Sequence, residues 1–205
     1  MKILYLSDDF PPDNLGGAGV VAHNLAKAFK ELGHDIYVVS TTQDKSKEGS
    51  YVQDGFKIYK IYSRYHRRWR AYFSLYNPQT VKKVSKIIAD IKPDVIHAHN
   101  VHYHLSYHCL KIAKDSGARV ILTAHDTMLY SYGKVYDGSK IPLFKDAWDH
   151  KLRFNPLRNL IIKYYLRNVD KIAAVSDALR RALINNGIKN VETIHNGINL
   201  DDWMV

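Results

Sequence analysis

The stretch DNLGGAGVVAHNLAKAF, residues 13–29, sets Gly16, Gly17 and Gly19 at the mouth of a helix. Glycine weakens regular structure and is kept where a backbone bends unusually or where something must approach it closely. A glycine-rich loop entering a helix offers free N–H groups and the positive end of the helix dipole, which suit an anion such as a diphosphate. Gly19 is expected to serve packing; Gly16 and Gly17 are expected to serve a ligand. The other residues able to do chemistry are Ser7-Asp8-Asp9, His97-His99-Asn100, His125-Asp126, Ser176-Asp177 and His195-Asn196-Gly197. Each group ends a short apolar run.

Those runs read as strands. KILYL (2–6), IYVVS (36–40), DVIHAH (94–99), ARVILTAH (118–125), KIAAVS (171–176) and VETIHN (191–196) are short and apolar, as in a parallel sheet covered on both faces. Between them lie helical patterns. Val21, Leu25, Ala28, Phe29 and Leu32 line one face of a helix over 17–32, which Gly33 ends. Val81, Val84, Ile88 and Ile91 line another, opened by Asn77-Pro78 and stopped by Lys92-Pro93. Further helices are expected over 103–116 and 156–169, and one capped by Ser176-Asp177 and ended by Gly187. Asp54-Gly55 marks a hairpin or a pair of short strands within 51–62. Residues 126–155 read as a long functional loop with a helical piece near Asp146 to Leu152. The sum is an α/β, doubly wound, Rossmann-like fold with about six or seven mainly parallel strands. Ligands of such sheets sit beyond the C-terminal strand ends, where the polar groups above cluster.

Several chemistries lack their residues. A nicotinamide site needs G-x-G-x-x-G directly after the first strand and an acid ending the second. Here the glycines read Gly16-Gly17-Ala18-Gly19 after a long connection, and the second strand ends in Ser40-Thr41-Thr42. Neither a P-loop nor a G-x-S-x-G elbow occurs. His97, His99, His102, His104 and His108 have no carboxylate or thiolate at ligand spacing, so no metal is expected. The single cysteine, Cys109, falls inside a predicted helix, excludes an intrachain disulfide and fits a reducing compartment.

The formal charge of +10 points to an anionic partner. The basic residues concentrate in YSRYHRRWRAYF (62–73), where Arg64, Arg67, Arg68 and Arg70 alternate with Tyr65, Trp69, Tyr72 and Phe73. Guanidinium groups suit phosphate or lipid head groups, and interleaved aromatics suit sugar stacking or a membrane interface. The stretch is expected to handle an anionic acceptor or the lipid surface that carries it. No RNA-recognition pattern accompanies it, so nucleic acid is not expected. The N-terminus does not read as a signal peptide and no window reaches a membrane span, which gives the expectation of a cytoplasmic chain.

Four segments taken together resemble the N-terminal half of retaining GT-B glycosyltransferases of group 1, family 4. They are DNLGGAGVVAHNLAKAFKELGHDIYVVS, KPDVIHAHN, LTAHD and KIAAVSDALRRALINNGIKNVETIHNGINLDDW, in that order. The resemblance implies two Rossmann-like domains facing across a cleft, with the acceptor held mainly by the first and the nucleotide-sugar by the second. It implies that Gly16 and Gly17 border the donor diphosphate and the acceptor, that His99 borders the donor sugar and reacting centre, and that His125 lies on the cleft floor. Asn100, Asp126, Ser176 and Asn196 are further cleft positions by this resemblance. It implies transfer on the same face through an oxocarbenium-like state, with no metal and no cofactor, the nucleotide-sugar being a substrate and the acceptor a glycan or a lipid-linked one. In IHNGIN, His195 and Asn199 stand where the family usually has proline and an acid. The donor-side E-x7-E motif is absent, since the glutamates are only Glu31, Glu48 and Glu192. Residues 1–199 are therefore expected to form the acceptor-side domain and 200–205 the start of an interdomain linker, with the donor domain outside this chain. The alternative is a non-catalytic basic module for acidic membrane or nucleic acid.

Overall fold

A computed structural model of the chain describes residues 1–13, 16–132, 148 and 154–197. The helical piece expected near Asp146 to Leu152 falls, but for Trp148, outside the described residues, as do Asn199 and the linker expected at 200–205.

Eight strands form one sheet among the described residues: β1 (Lys2–Ser7), β2 (Asp35–Thr42), β3 (Gly49–Gln53), β4 (Phe56–Tyr62), β5 (Val95–His99), β6 (Arg119–Ala124), β7 (Lys171–Ala174) and β8 (Val191–Thr193). Their order is β3-β4-β2-β1-β5-β6-β7-β8, and only β3 runs antiparallel to its neighbour. The sheet exceeds the expected six or seven strands because the Asp54-Gly55 signal makes a full hairpin. Asp54 at φ 51° and Gly55 at φ 75° both take the left-handed conformation that a tight two-residue turn requires.

The helices whose bounds lie among the described residues are, in chain order, α1 (Gly17–Glu31), α2 (Arg70–Phe73), α3 (Val81–Ile91), α4 (His108–Asp115), α5 (Arg158–Leu166) and α6 (Asp177–Asn185). Alternation along the strands divides the core between the two faces of the sheet. Ile3, Tyr5, Val38 and Ile58 pack with Ala22 and Ala26 of α1 on one face. Leu4, Leu6, Ile96, Ala98 and Leu122 pack with Val84 and Ile88 of α3, Leu110 of α4 and Leu183 of α6 on the other. The strand order produces this split: the chain moves outward from β1 to β2, then returns to continue on the far side from β5. The reversal lies between β1 and β5, and in such sheets the crevice beyond that point is the ligand site.

Ends are set as the residue types require. Gly33, at φ 83°, closes α1, and Lys92, at φ 52°, ends α3 before Pro93. Ser176 accepts a hydrogen bond from the Leu179 N–H at 3.2 Å and caps α6.

One helix is shorter than its pattern. The expected helix over 103–116 begins only at His108. Residues 101–107 instead form a loop in which the amides of Tyr103, His104 and Leu105 donate to the Asp8 carboxylate. A well-placed acceptor just past β1 competes successfully with the helix's own carbonyls.

Candidate functional site

The centre of the site is a row of polar side chains on the α1 face of the sheet, at the C-terminal ends of β5 and β6. His97 and His99 alternate with the core residues Ile96 and Ala98, which turns both imidazoles to this face. His97 Nε2 lies 2.8 Å from Thr123 Oγ1, and His99 Nδ1 lies 3.0 Å from His125 Nε2. The rings form a continuous group, with His97 and His99 centroids 4.2 Å apart and Tyr5 flanking both. Burial opposes the charged imidazolium. It pulls His97 and His125 down to about 4 and His99 well below the usual histidine range; neighbouring imidazoles add to the shift at His97 and His99. All three are neutral at pH 7. His99 is 0 % exposed, and among the described residues its buried Nε2 and the buried Tyr5 hydroxyl have no hydrogen-bond partner.

Asp8, just past β1, organises the loops around this row. Its carboxylate accepts from the amides of Tyr103 (2.7 Å), His104 (2.9 Å) and Leu105 (2.7 Å). Its carbonyl accepts from Thr41 Oγ1 at 2.9 Å and Ser40 Oγ at 3.2 Å. Its N–H donates to the carbonyl of Asn100, itself in the left-handed region at φ 33°. One residue therefore ties the ends of β1, β2 and β5 together. Burial pushes the Asp8 carboxyl up to about 7 against the opposing pull of the three amides, with Asp9 adding to the rise. The sequence placed Asp8 at a strand end; nothing in its spacing revealed the three amides.

The glycines divide. A Cβ on Gly19 would lie 2.7 Å from the Asp9 carbonyl oxygen, so α1 can approach the β1 loop only with glycine there. Gly19 is a packing residue, as expected. Gly16 and Gly17 are exposed; a Cβ on Gly17 would meet nothing within 4 Å and one on Gly16 only Asp9 Oδ2 at 3.5 Å. Packing among the described residues does not demand glycine at either place.

The basic-aromatic stretch also divides. Arg67–Trp69 form a 3-10 turn leading into α2. Arg64, Arg67, Arg68 and Trp69 face outward, Trp69 being 52 % exposed and set edge-on to Tyr72. Arg70 turns inward, its guanidinium 4.0 Å from the centroid of the Tyr103 ring. The five residues do not act as one surface.

The remaining positions have local duties. Asp126 Oδ1 accepts from the Met128 amide at 2.9 Å, and its Oδ2 stands 3.7 Å from His102 Nε2. Ser176 is occupied as the α6 cap, and Asn196 is exposed beyond β8. His104 and His108 point apart, His104 to Ser63 and His108 to the Tyr165 hydroxyl. Among the described residues no group of three or more His, Cys, Asp or Glu could hold a metal ion. Among them, too, no helix is long and apolar enough to cross a membrane.

Beside Asp8 lies a polar cavity of about 240 Å³, lined by Asp9, Asp13, Thr42, Asp44, Lys47 and His104 among others. Asp13 is fixed in its wall by Lys47 at 2.8 Å and from below by Lys60, whose side chain is only 1 % exposed, at 3.1 Å. A larger depression of about 680 Å³ lies at the opposite ends of β7 and β8, away from the histidines.

The comparisons with known proteins agree with this layout. The chain is 29% identical over 217 residues to an uncharacterized 42.6 kDa protein in the cps region of Klebsiella pneumoniae, covering 97% of this chain and 56% of that protein. A sucrose-phosphate synthase from Thermosynechococcus elongatus superposes with a TM-score of 0.66 at 12% identity, covering 98% of this chain and 49% of that one. The UDP-GlcNAc 2-epimerase from Methanocaldococcus jannaschii does so with a TM-score of 0.53 at 12% identity, over 96% of this chain and 46% of that one. The chain thus spans about half the length of these relatives, and the structural likeness shows the fold: the Rossmann-like N-terminal half of a two-domain GT-B architecture. The family is decided by the sequence model for Glycosyltransferase Family 4, which matches residues 15–202; the chain belongs to that family.

Proposed function

We propose that the chain is the acceptor-side half of a retaining glycosyltransferase, which moves a sugar from a nucleotide-sugar to a carbohydrate or lipid-linked acceptor. A second Rossmann-like domain supplies the donor site. The observation that carries the reading is the buried, neutral His99–His125 pair at the strand-order reversal, with the open Gly16-Gly17 turn entering α1. In retaining transfer the bond between the sugar and the diphosphate breaks while the acceptor oxygen bonds on the same face and gives its proton to the departing diphosphate oxygen. Positive charge builds on the sugar. A neutral imidazole beside that centre offers hydrogen bonds without adding repulsion. The departing diphosphate gains negative charge, which the N–H groups and dipole at the α1 N-terminus can meet, and a side chain at Gly16 or Gly17 would intrude there. None of these steps requires a metal or a cofactor. Arg64, Arg67, Arg68 and Trp69 hold the acceptor side against an anionic membrane surface, on the cytoplasmic face.

A calorimetric titration with UDP, GDP, ADP, their sugars and NAD tests the reading. Weak nucleotide binding by this chain, with sugar transfer by a polypeptide that includes the second domain, supports it. Retention is read by NMR from the anomeric configuration of the product. Clear NAD binding by this chain would sink the proposal. The second reading, a non-catalytic basic module for acidic membrane or nucleic acid, draws on the outward Arg64, Arg67, Arg68 and Trp69. Steep salt dependence with oligonucleotides, without any nucleotide-sugar binding, would favour it.

A further inference from the structure

Arg70 differs from every other arginine of its stretch. It is partly buried, and its guanidinium lies over the Tyr103 ring at 4.0 Å. Among the described residues its Nη2 has only the Met128 sulfur, at 3.3 Å, and its buried Nε has no hydrogen-bond partner. It enters none of the ion pairs among the described residues. Arg158, its neighbour across Met128, shows the ordinary solution: Nη2 donates to the Met128 carbonyl at 2.6 Å and Nη1 to Asn159 Oδ1 at 2.8 Å. A guanidinium is always charged, and withdrawing it from water without oxygen partners is unfavourable. The Tyr103 face returns part of that loss through its quadrupole. The rest awaits a partner.

The platform beneath Arg70 is rigid. The Tyr103 amide is held by Asp8 Oδ2, its carbonyl by the Tyr65 hydroxyl at 2.7 Å, and its ring stands 4.6 Å from that of His102. Nearby carboxylates are committed elsewhere. Asp8 is spent on three amides, and Asp126 serves Met128 and His102. Tyr103 is four residues beyond His99, so Arg70 sits at the same C-terminal edge of the sheet as the histidine pair.

We propose that Arg70, stacked on Tyr103, is an oxyanion subsite that takes a phosphate or carboxylate group of the acceptor. The planar fork matches two oxygens of either group, which a lysine cannot reproduce. The assignment rests on the reading of this half as the acceptor side, and it makes the acceptor an anionic sugar or a phosphate-bearing one.

The test is NMR of the chain with ¹⁵N-labelled arginine, following the Nε–H signal that disappears in Arg70→Gln. The probes are inorganic phosphate, a hexose 1-phosphate, a hexuronate and a neutral methyl hexoside. A saturable shift with one or more anionic probes and none with the hexoside is expected. A response to the hexose 1-phosphate assigns phosphate, and one to the hexuronate assigns carboxylate. Arg70→Lys should bind about tenfold more weakly, and Lys82→Gln, which removes an exposed charge elsewhere, should bind as wild type. A melting curve confirms that each variant is folded. Equal shifts with the neutral hexoside, no shift with any anion, or unchanged binding in folded Arg70→Lys would each overturn the subsite. The two proposals fail separately. Transfer by the two-domain polypeptide with KM unchanged in Arg70→Gln removes the subsite alone. Anion binding without any transfer removes the transferase reading alone.

Discussion

His99 Nδ1 and His125 Nε2 approach to 3.0 Å while burial keeps both rings neutral. Each neutral imidazole has one N–H and one bare nitrogen, so the contact fixes one tautomer against the other. If His99 donates, its buried Nε2 is a bare acceptor; if His125 donates, Nε2 carries an orphaned N–H. Buried N–H groups without partners are the rarer case, which favours His99 as donor. In the free chain, ¹⁵N shifts of labelled histidine should therefore show His99 protonated at Nδ1. His125→Phe should convert it to a mixture of tautomers. A single Nε2–H tautomer in wild type would reverse the assignment.

The same burial makes stability depend on pH. His97 titrates near 4 in the fold and near 6.5 when unfolded. The unfolded chain then binds more protons between those values, so the His97 contribution is complete above pH 6.5 and is lost as pH falls toward 4. Its full size is about 3 kcal/mol, from the shift of a nearly buried group. Asp8 acts in the opposite sense. Its folded value of about 7 lies above the unfolded one, so its contribution is complete below the ordinary aspartate range and is lost as pH rises through 7. Urea unfolding of wild type and His97→Gln between pH 4 and 7 separates the two, since Asp8 is common to both. The stability difference should shrink as pH falls; a difference that stays constant would mean that His97 is not buried as a neutral ring.

Asp8→Ala removes the acceptor of three amides while leaving them inside. The expected loss is about 3 kcal/mol, several unsatisfied buried donors at roughly 1 kcal/mol or more each. Hydrogen exchange at Tyr103, His104 and Leu105 should accelerate more than at β6. Uniform acceleration across the sheet would mean that Asp8 holds the whole fold rather than this loop.

These cases show where the sequence was legible. Apolar spacing locates the strands, and the parallel α/β pattern puts His99, His125 and the glycine loop at one edge of the sheet. The pattern puts the start of α4 too early because periodicity registers the apolar face of 108–115 but not a carboxylate 95 to 97 residues earlier in the chain. The sequence groups Arg70 with Arg67 and Arg68 because adjacency carries no information about the Tyr103 ring. Ser176 fits both a cap and a cleft position in the sequence; its hydroxyl oxygen serves the cap. Long-range hydrogen bonds made these decisions, and composition records none of them.

Gly17 and Gly19, two positions apart, should respond to alanine with opposite signs. Gly19→Ala places a methyl 2.7 Å from a backbone oxygen, and α1 must shift, at about 1–3 kcal/mol. Gly17→Ala enters open space at a helical position, where alanine is favoured by up to about 1 kcal/mol. Thermal melts should show the first variant falling and the second level or rising. If the donor diphosphate sits at this turn, Gly17→Val in the two-domain enzyme keeps the melting temperature and loses donor affinity. Loss of stability in Gly17→Ala would mean that the turn is glycine for its own packing.

The outward arginines bear on the membrane half of the proposal. Arg67, Arg68 and Trp69 are exposed together, while Arg70 faces Tyr103. A basic side chain near an anionic bilayer contributes about 1 kcal/mol, so removing Arg67 and Arg68 should weaken partition by roughly thirtyfold. Trp69→Ala should cost further affinity in a way that salt does not screen, because an indole anchors at the interface through its apolar body. Sedimentation with phosphatidylglycerol vesicles at two salt concentrations, against neutral phosphatidylcholine, measures both terms. Arg70→Gln serves as the internal contrast and should leave vesicle binding unchanged. If Arg67→Ala/Arg68→Ala binds anionic vesicles as wild type does, the outer arginines are a solvated face and the acceptor reaches this domain from solution. If Arg70→Gln loses binding equally, the inward and outward arginines belong to one surface after all.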